Sequence, residues 1–264
     1  MERNAQRVIC PNDLRKVVLK MLHNAQSGHV GGSFSIAEIV ACLYNNFDMT
    51  SGKKDKFVLS KGHAAPALYA ALYLKGVISE EELLTFRCID SKLQGHPDKV
   101  RLENVVATTG SLGQGLSIAI GHALAHKIKS LDSKVFCIVG DGEIQEGQVW
   151  ESIMLAPKFN LENLVLIVDR NGAQNDGFVS DVLSLDLGET LTKKIESFGW
   201  CVKEVDGNNY DNFESIIKST ENKRPLCIIA NTVKGKGVSF METPAWHAKA
   251  PNKEEYELAI KELS

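Results

Sequence analysis

No two of the six cysteines (Cys10, Cys42, Cys88, Cys137, Cys201 and Cys227) form a C-x-x-C pair, which excludes a paired-thiol motif. Four of them sit inside apolar runs, so buried, reduced thiols and a cytoplasmic protein are expected. Long apolar runs are missing too. No segment is long enough to span a bilayer, and the opening MERNAQRVICPND lacks the apolar stretch of a signal peptide, so no membrane or secretory role is expected. Nor is there an excess of charge of one sign. Lys and Arg number 30 against 33 Asp and Glu, a net charge of −3, which leaves no electrostatic footprint for nucleic acid or anionic membranes. No repeat, low-complexity tract or linker interrupts the 264 residues, so a single domain over residues 1–264 is expected.

What is present is an ordinary globular composition, 44% hydrophobic and 24% charged, with apolar runs alternating with amphipathic stretches. That alternation predicts an α/β fold, a parallel sheet flanked by helices on both faces. Strands are expected at KFVLS, VVATTG, VFCIVG, LVLIVD, CVKEVD and PLCIIANTV. Helices are expected over Leu14 to Ala25, around Ala67 to Lys75, over Leu116 to Ile128, near Gln148 to Phe159 and near Asn212 to Ser219, with a surface helix in the tail. Ser35 with Glu38, and Ser79 with Glu82, have the spacing of capping boxes. SGHVGGS reads as a break in the chain.

The stretch CIVGDGEIQEG, Cys137 to Gly147, carries the first chemical signal. A buried strand emerges and places carboxylates between glycines. Parallel strands joined by one helix leave their C-terminal ends on one sheet edge. VFCIVG leads into Asp141, and LVLIVD leads into Asn171, thirty residues on. Both therefore reach the rim where open α/β sheets bind ligands. One carboxylate, one amide oxygen and a nearby backbone carbonyl form an all-oxygen set suited to Mg²⁺ or Ca²⁺, with phosphate oxygens and water completing the shell. The glycines flanking Asp141 would let a diphosphate approach the backbone. Gly-Asp-Gly by itself is more often a plain turn; the second post-strand loop with Asn171 shifts the balance.

GDGEIQEG followed by VDRN resembles the signature of thiamine diphosphate enzymes. SGHVGGSFS, LSKGHAAPALYA, QGHPD, TTGSLGQGLS and NTVKGKGVSFME…WH resemble blocks of the N-terminal, diphosphate-binding domain of transketolase, in that family's order, from Ser27 to His247. The resemblance implies Asp141, Asn171 and the carbonyl of Ala173 as metal ligands. It places Gly110, Leu112 and Gly142 along the diphosphate and thiazolium, and Lys61 and Lys234 against the diphosphate charge. Glu146 resembles a glutamate at the contact between dimer halves, although a glutamate entering a helix also has a structural reason to be there.

His29, His63, His96 and His247 lie in glycine- or proline-flanked loops. Around an anionic cofactor they are expected to share one pocket, where near-neutral imidazoles can move hydroxyl protons. The resemblance assigns His29, His96 and His247 to the sugar and His63 mainly to the diphosphate. His122 and His126, four apart on a helix without a third ligand, are expected to be structural.

In the family a second domain holds the aminopyrimidine and supplies the glutamate that activates the cofactor. No segment remains here to make it. The resemblance therefore implies the N-terminal subunit of a split transketolase. It would work with a C-terminal, pyrimidine-binding subunit in an α2β2 heterotetramer on sugar phosphates, in pentose phosphate metabolism or a dedicated pathway. Rival readings are a 1-deoxyxylulose-5-phosphate synthase-like chain, the α subunit of a 2-oxo-acid dehydrogenase, and a non-catalytic cofactor-binding or regulatory subunit. SKGHAAP and VKGKG favour transketolase. Val30 stands where relatives carry proline, and polar Asn175 stands where an apolar residue is common.

Overall fold

Strands that are apolar at nearly every position must be covered on both faces, and the apolar runs of this chain meet that demand. The computed structural model describes residues 8–50, 54–219 and 223–264. In chain order its elements are α1 (Pro11–Ala25), α2 (Val30–Phe34), α3 (Ala37–Asn46), β1 (Lys56–Leu59), α4 (Ala65–Leu74) and α5 (Glu80–Leu83). Then come α6 (Gln114–Ile128), β2 (Val135–Gly140), α7 (Gly147–Lys158), β3 (Leu164–Arg170), and a short antiparallel pair, β4 (Ala173–Gln174) and β5 (Gly177–Phe178). The remainder is α8 (Val179–Leu183), α9 (Leu191–Ser197), β6 (Cys201–Asp206), α10 (Tyr210–Ser219), β7 (Leu226–Asn231) and α11 (Lys253–Glu262).

Five strands form a parallel sheet in the order β1-β2-β3-β7-β6. The two-residue period of a strand divides its apolar side chains between two cores. Phe57, Phe136, Ile138, Ile167 and Ile228 join one core with α1, α3, α4 and α10; Val58, Cys137, Val139, Leu166 and Ile229 join the other with α6, α7 and α9. Trp200 closes the second core and donates its indole N–H to the carbonyl of Ile153 at 2.8 Å. The layering follows from handedness. Right-handed crossovers put α6 and α7 on one face while the chain steps from β1 to β3, and put α10 on the other when it steps back from β6 to β7. The direction reverses between β3 and β7, which makes their C-terminal ends the switch point of the sheet.

Four local expectations are corrected. VVATTG forms no strand: residues 105–109 cross the end of β1, where the Thr109 hydroxyl donates to the carbonyl of Leu59 at 2.7 Å. SGHVGGS does not interrupt helical structure, because Val30–Phe34 is α2 and wholly buried. Its glycines are dictated by packing, since a Cβ on Gly31 would lie 2.9 Å from Lys234 Cγ. Ser35 makes no capping box, because α3 starts after Ile36; its hydroxyl goes to Asp169, and Glu38 pairs with Arg15. Ser79 and Glu82 do form the reciprocal box. All six cysteines are free, and three of them, Cys42, Cys137 and Cys227, are buried, with Cys201 half-buried. No helix is long and apolar enough to cross a membrane among the described residues.

Candidate active site

Four chain segments leave the C-terminal edge of the sheet and carry the candidate groups: Lys61 and His63 after β1, Asp141 after β2, Asn171 and Ala173 after β3, and Lys234 after β7. Register holds them together. Gly140 pairs with Asp169, and the amide of Asp141 donates to the Asp169 carbonyl at 3.2 Å. The Asp141 carboxylate is 2% exposed and accepts the amides of Gly142 (2.9 Å) and Gly172 (2.6 Å). Burial, then the neighbouring Asp169, pushes its pKa up to about 6, which marks a place where positive charge would be welcome. Asn171 turns Nδ2 to Asp169 Oδ2 (2.7 Å), and its Oδ1 accepts the amide of Ala173 (3.1 Å).

The two lysines have different surroundings. Lys61 is 1% exposed; its ammonium forms an ion pair with Asp169 and donates to the carbonyl of Gly32 at 2.9 Å. A carboxylate within the fold thus already balances its charge. Lys234 pairs with no carboxylate among the described residues. Its ammonium donates to the carbonyl of Ala173 (2.9 Å) and to His247 Nδ1 (2.7 Å). Burial, then the charge of Lys61, lowers its pKa to about 8.

The four loop histidines meet in one cluster. Ring centroids of His29 lie 5.4 Å from His63, 6.5 Å from His96 and 5.5 Å from His247, and His63 lies 5.2 Å from His247. Burial is the first cause holding all four below the usual histidine range, to about 4 for His29 and about 3 for His247. All are neutral at neutral pH. His29 Nδ1 is buried with no hydrogen-bond partner, a polar atom available to a bound molecule. Arg87 adds positive charge beside His29 and His96, donates to the Ser27 hydroxyl at 2.9 Å and has a left-handed φ of 63°. His122 and His126 stand apart on α6, where His126 Nδ1 bonds the Ser133 hydroxyl at 2.6 Å.

Glycines and a second carboxylate shape the loops. A Cβ on Gly62 would lie 1.6 Å from the Thr109 carbonyl oxygen, so only glycine lets these segments touch. Gly142 is also required by the protein, because its Cβ would lie 2.9 Å from that of Gln174; Gly110, by contrast, faces open space. Leu112 is 38% exposed and Glu146 is exposed on the same rim. Glu143, 2% exposed, accepts the Ser60 hydroxyl and the amides of Gly113 (2.9 Å) and Gly140 (3.0 Å). The acidic residue closing Gly-Asp-Gly-Glu therefore knits two site loops. Sequence reasoning passed over Glu143, Arg87 and the contacts of Asp169, whose partners all lie far away along the chain or in another loop.

These groups line a cavity of about 370 Å³ that reaches from Lys61, Asp141 and Asn171 to Lys234, His247 and Glu146. Among the described residues no group of three or more His, Cys, Asp or Glu could hold a metal. A cation here would rest on one carboxylate and neutral oxygens, the donor chemistry of a hard ion. Asp141, with its raised pKa, and the oxygens of Asn171 and Ala173 fit that group.

A family model described as the transketolase thiamine diphosphate binding domain matches residues 6–263. One of the two chains named for the apulose-4-phosphate transketolase of Phocaeicola vulgatus is 38% identical over 261 residues, covering 95% of this chain and 91% of the relative. The 6-deoxy-6-sulfo-D-fructose transketolase subunit SqwG of Clostridium sp. strain MSTE9 is 40% identical over 261 residues, covering 96% and 94%. Human transketolase is 38% identical over 260 residues, but this chain spans 41% of its length. Among solved structures, Campylobacter jejuni transketolase superposes with a TM-score of 0.89 at 30% identity, covering 98% of this chain and 42% of that one. With its fold, its loops and nearly its whole length accounted for in this way, the chain belongs to the transketolase family, as its thiamine diphosphate binding domain.

Proposed function

We propose that this chain is the diphosphate-holding subunit of a two-subunit transketolase, which moves a two-carbon ketol unit from a ketose phosphate to an aldose phosphate with thiamine diphosphate and a divalent cation, Mg²⁺ or Ca²⁺. The convergence of four neutral histidines with Asp141, Asn171 and Lys234 on one cavity carries this reading. When bound, the cofactor supplies the nucleophilic carbon that accepts and releases the ketol unit. Asp141, Asn171 Oδ1 and the Ala173 carbonyl hold the cation. Lys234 faces the diphosphate, since its charge is the one left unbalanced within the fold. Lys61 acts on the diphosphate at most indirectly, through the loop it anchors.

His29, His96 and His247 serve the sugar. A neutral imidazole accepts a hydroxyl proton at one nitrogen and donates from the other. The Lys234 ammonium donating to His247 Nδ1 leaves the imidazole proton on Nε2. His63, next to Lys61 and Gly62, serves the diphosphate. Gly110, Leu112 and Gly142 border the cofactor, and Glu146, exposed at the rim, meets a neighbouring subunit. Relatives of this chain's length are named as single subunits of a transketolase, and whole transketolases are more than twice as long, this chain spanning 41% of the human one. Both facts support a C-terminal, pyrimidine-binding partner in a heterotetramer with two copies of each chain. Six free cysteines support a cytoplasmic setting.

The test is calorimetric binding of thiamine diphosphate to the chain with its partner, with and without Mg²⁺, followed by a screen of donor and acceptor sugars. Cation-dependent binding and ketol transfer are expected. Binding without any turnover across the screen would favour a non-catalytic role.

A further inference from the structure

The groups proposed to hold the metal and the diphosphate converge on a residue that the cavity barely touches. Asp169 is fully buried. Its Oδ2 accepts the Ser35 hydroxyl (2.8 Å), the Lys61 ammonium and Asn171 Nδ2 (2.7 Å); its Oδ1 accepts the Thr232 hydroxyl. The donors come from four segments: the junction of α2 and α3, and the loops after β1, β3 and β7. The same segments carry His29, His63, Ala173 and Lys234.

We propose that Asp169 is a positioning residue for the metal site, fixing Asn171 with its oxygen toward the cation and cancelling the charge of Lys61 so that the ammonium organises the loops instead of repelling the metal. This rests on the metal reading above. The reasoning is one of donors and acceptors. An amide can present either its oxygen or its nitrogen, and its partners choose between them. An ionised carboxylate only accepts, so it holds Nδ2 and turns Oδ1 away. An amide in its place could donate to Asn171 and permit the flipped state, which would aim N–H groups at a cation. A buried Asp–Lys pair that served the fold alone would carry no such directional demand.

A double-mutant cycle separates these roles. The measured quantity is the Mg²⁺ concentration giving half-maximal thiamine diphosphate binding to the full chain with its partner subunit, beside the melting temperature of each variant. Asp169→Asn should raise it about 10- to 100-fold, the range typical of groups that orient metal ligands. In an Asn171→Ala background the same replacement should change it less than about threefold, because the oriented ligand is gone. Equal losses in both backgrounds, or an unchanged Mg²⁺ requirement in Asp169→Asn, would overturn the proposal. If Asp169→Asn does not fold, Thr232→Val tests the same point with the charge kept. It should raise the Mg²⁺ requirement about threefold in the wild-type background and leave it unchanged in Asn171→Ala; no change in either background overturns the assignment. Thiamine diphosphate binding by the wild type without any metal dependence would sink the metal reading and this inference together.

Discussion

Replacing Asp141 by alanine removes the one charged ligand proposed for the cation and also frees the amides of Gly142 and Gly172. Cofactor affinity should fall at limiting Mg²⁺ while the fold survives, and Asn171→Ala should do the same more mildly, because a neutral ligand is lost. Calorimetry at two Mg²⁺ concentrations checks both; unchanged affinity in Asp141→Ala would refute the ligand set. His29→Ala, His96→Ala and His247→Ala should spare cofactor affinity and lower turnover by about 10² to 10⁴, as acid–base groups do. His63→Ala should weaken cofactor binding as well. His126→Ala should lower the melting temperature and leave turnover nearly intact, because its partner is Ser133 and not the cluster. An essential His126 beside dispensable His29 and His96 would reverse the map.

The same histidines set an acid limit on stability. Burial lowers His29 to about 4 and His247 to about 3, from an ordinary value of 6.5. Below 6.5 the unfolded chain takes up protons that the folded chain refuses, so the folded state loses ground. The stability is present above pH 6.5 and is lost as pH falls from there toward 4. Melting temperatures of the ligand-free chain between pH 7.5 and 4 should follow that slope, and His247→Gln should flatten it. A melting temperature flat across the window would contradict neutral burial.

At the scale of elements, what matters is how loops close on strand ends. Gly62→Ala places a methyl against the Thr109 carbonyl, whose segment crosses the end of β1. Backbone must move, and with it Lys61, His63 and the glycine loop. Both melting temperature and cofactor affinity should fall. Ser79→Ala is the contrast: it removes the capping box of α5, remote from the cavity, at a cost of about 1 kcal/mol with unchanged turnover. Two Ser-x-x-Glu patterns stand in the sequence, and only one is a box. Ser79 meets water and its own helix, so local chemistry decides. Ser35 is buried beside Asp169, so a long-range acceptor takes its hydroxyl and the next helix begins without it. VVATTG fails for a related reason: strand propensity needs a neighbouring edge, and this segment has been drawn across the end of β1 by Thr109.

For the whole molecule, the proposed division of labour predicts that the purified chain shows no ketol transfer at any cofactor concentration, and that adding the pyrimidine-binding partner restores it. Multi-angle light scattering of the mixture should give the mass of two copies of each chain. Turnover by the chain alone would place the missing half elsewhere. The parallel sheet, its two covering layers and the rim carrying Asp141 and Asn171 were legible along the chain, because apolar periodicity and a crossover's handedness are local properties. So was the set of glycine-flanked loops bearing His29, His63, His96 and His247, although not their meeting within 6.5 Å of His29. The partner each polar group takes was not legible. Lys61 reads as a cation for a diphosphate until β3 brings Asp169, 108 residues later, against it. Strand order decides that pairing, and strand order is settled by which faces bury together across the whole chain. The sequence determined which groups reach the rim; only the tertiary structure decided which charges were left there uncancelled, because desolvation forces a buried ammonium to take whichever carboxylate the packing brings within reach.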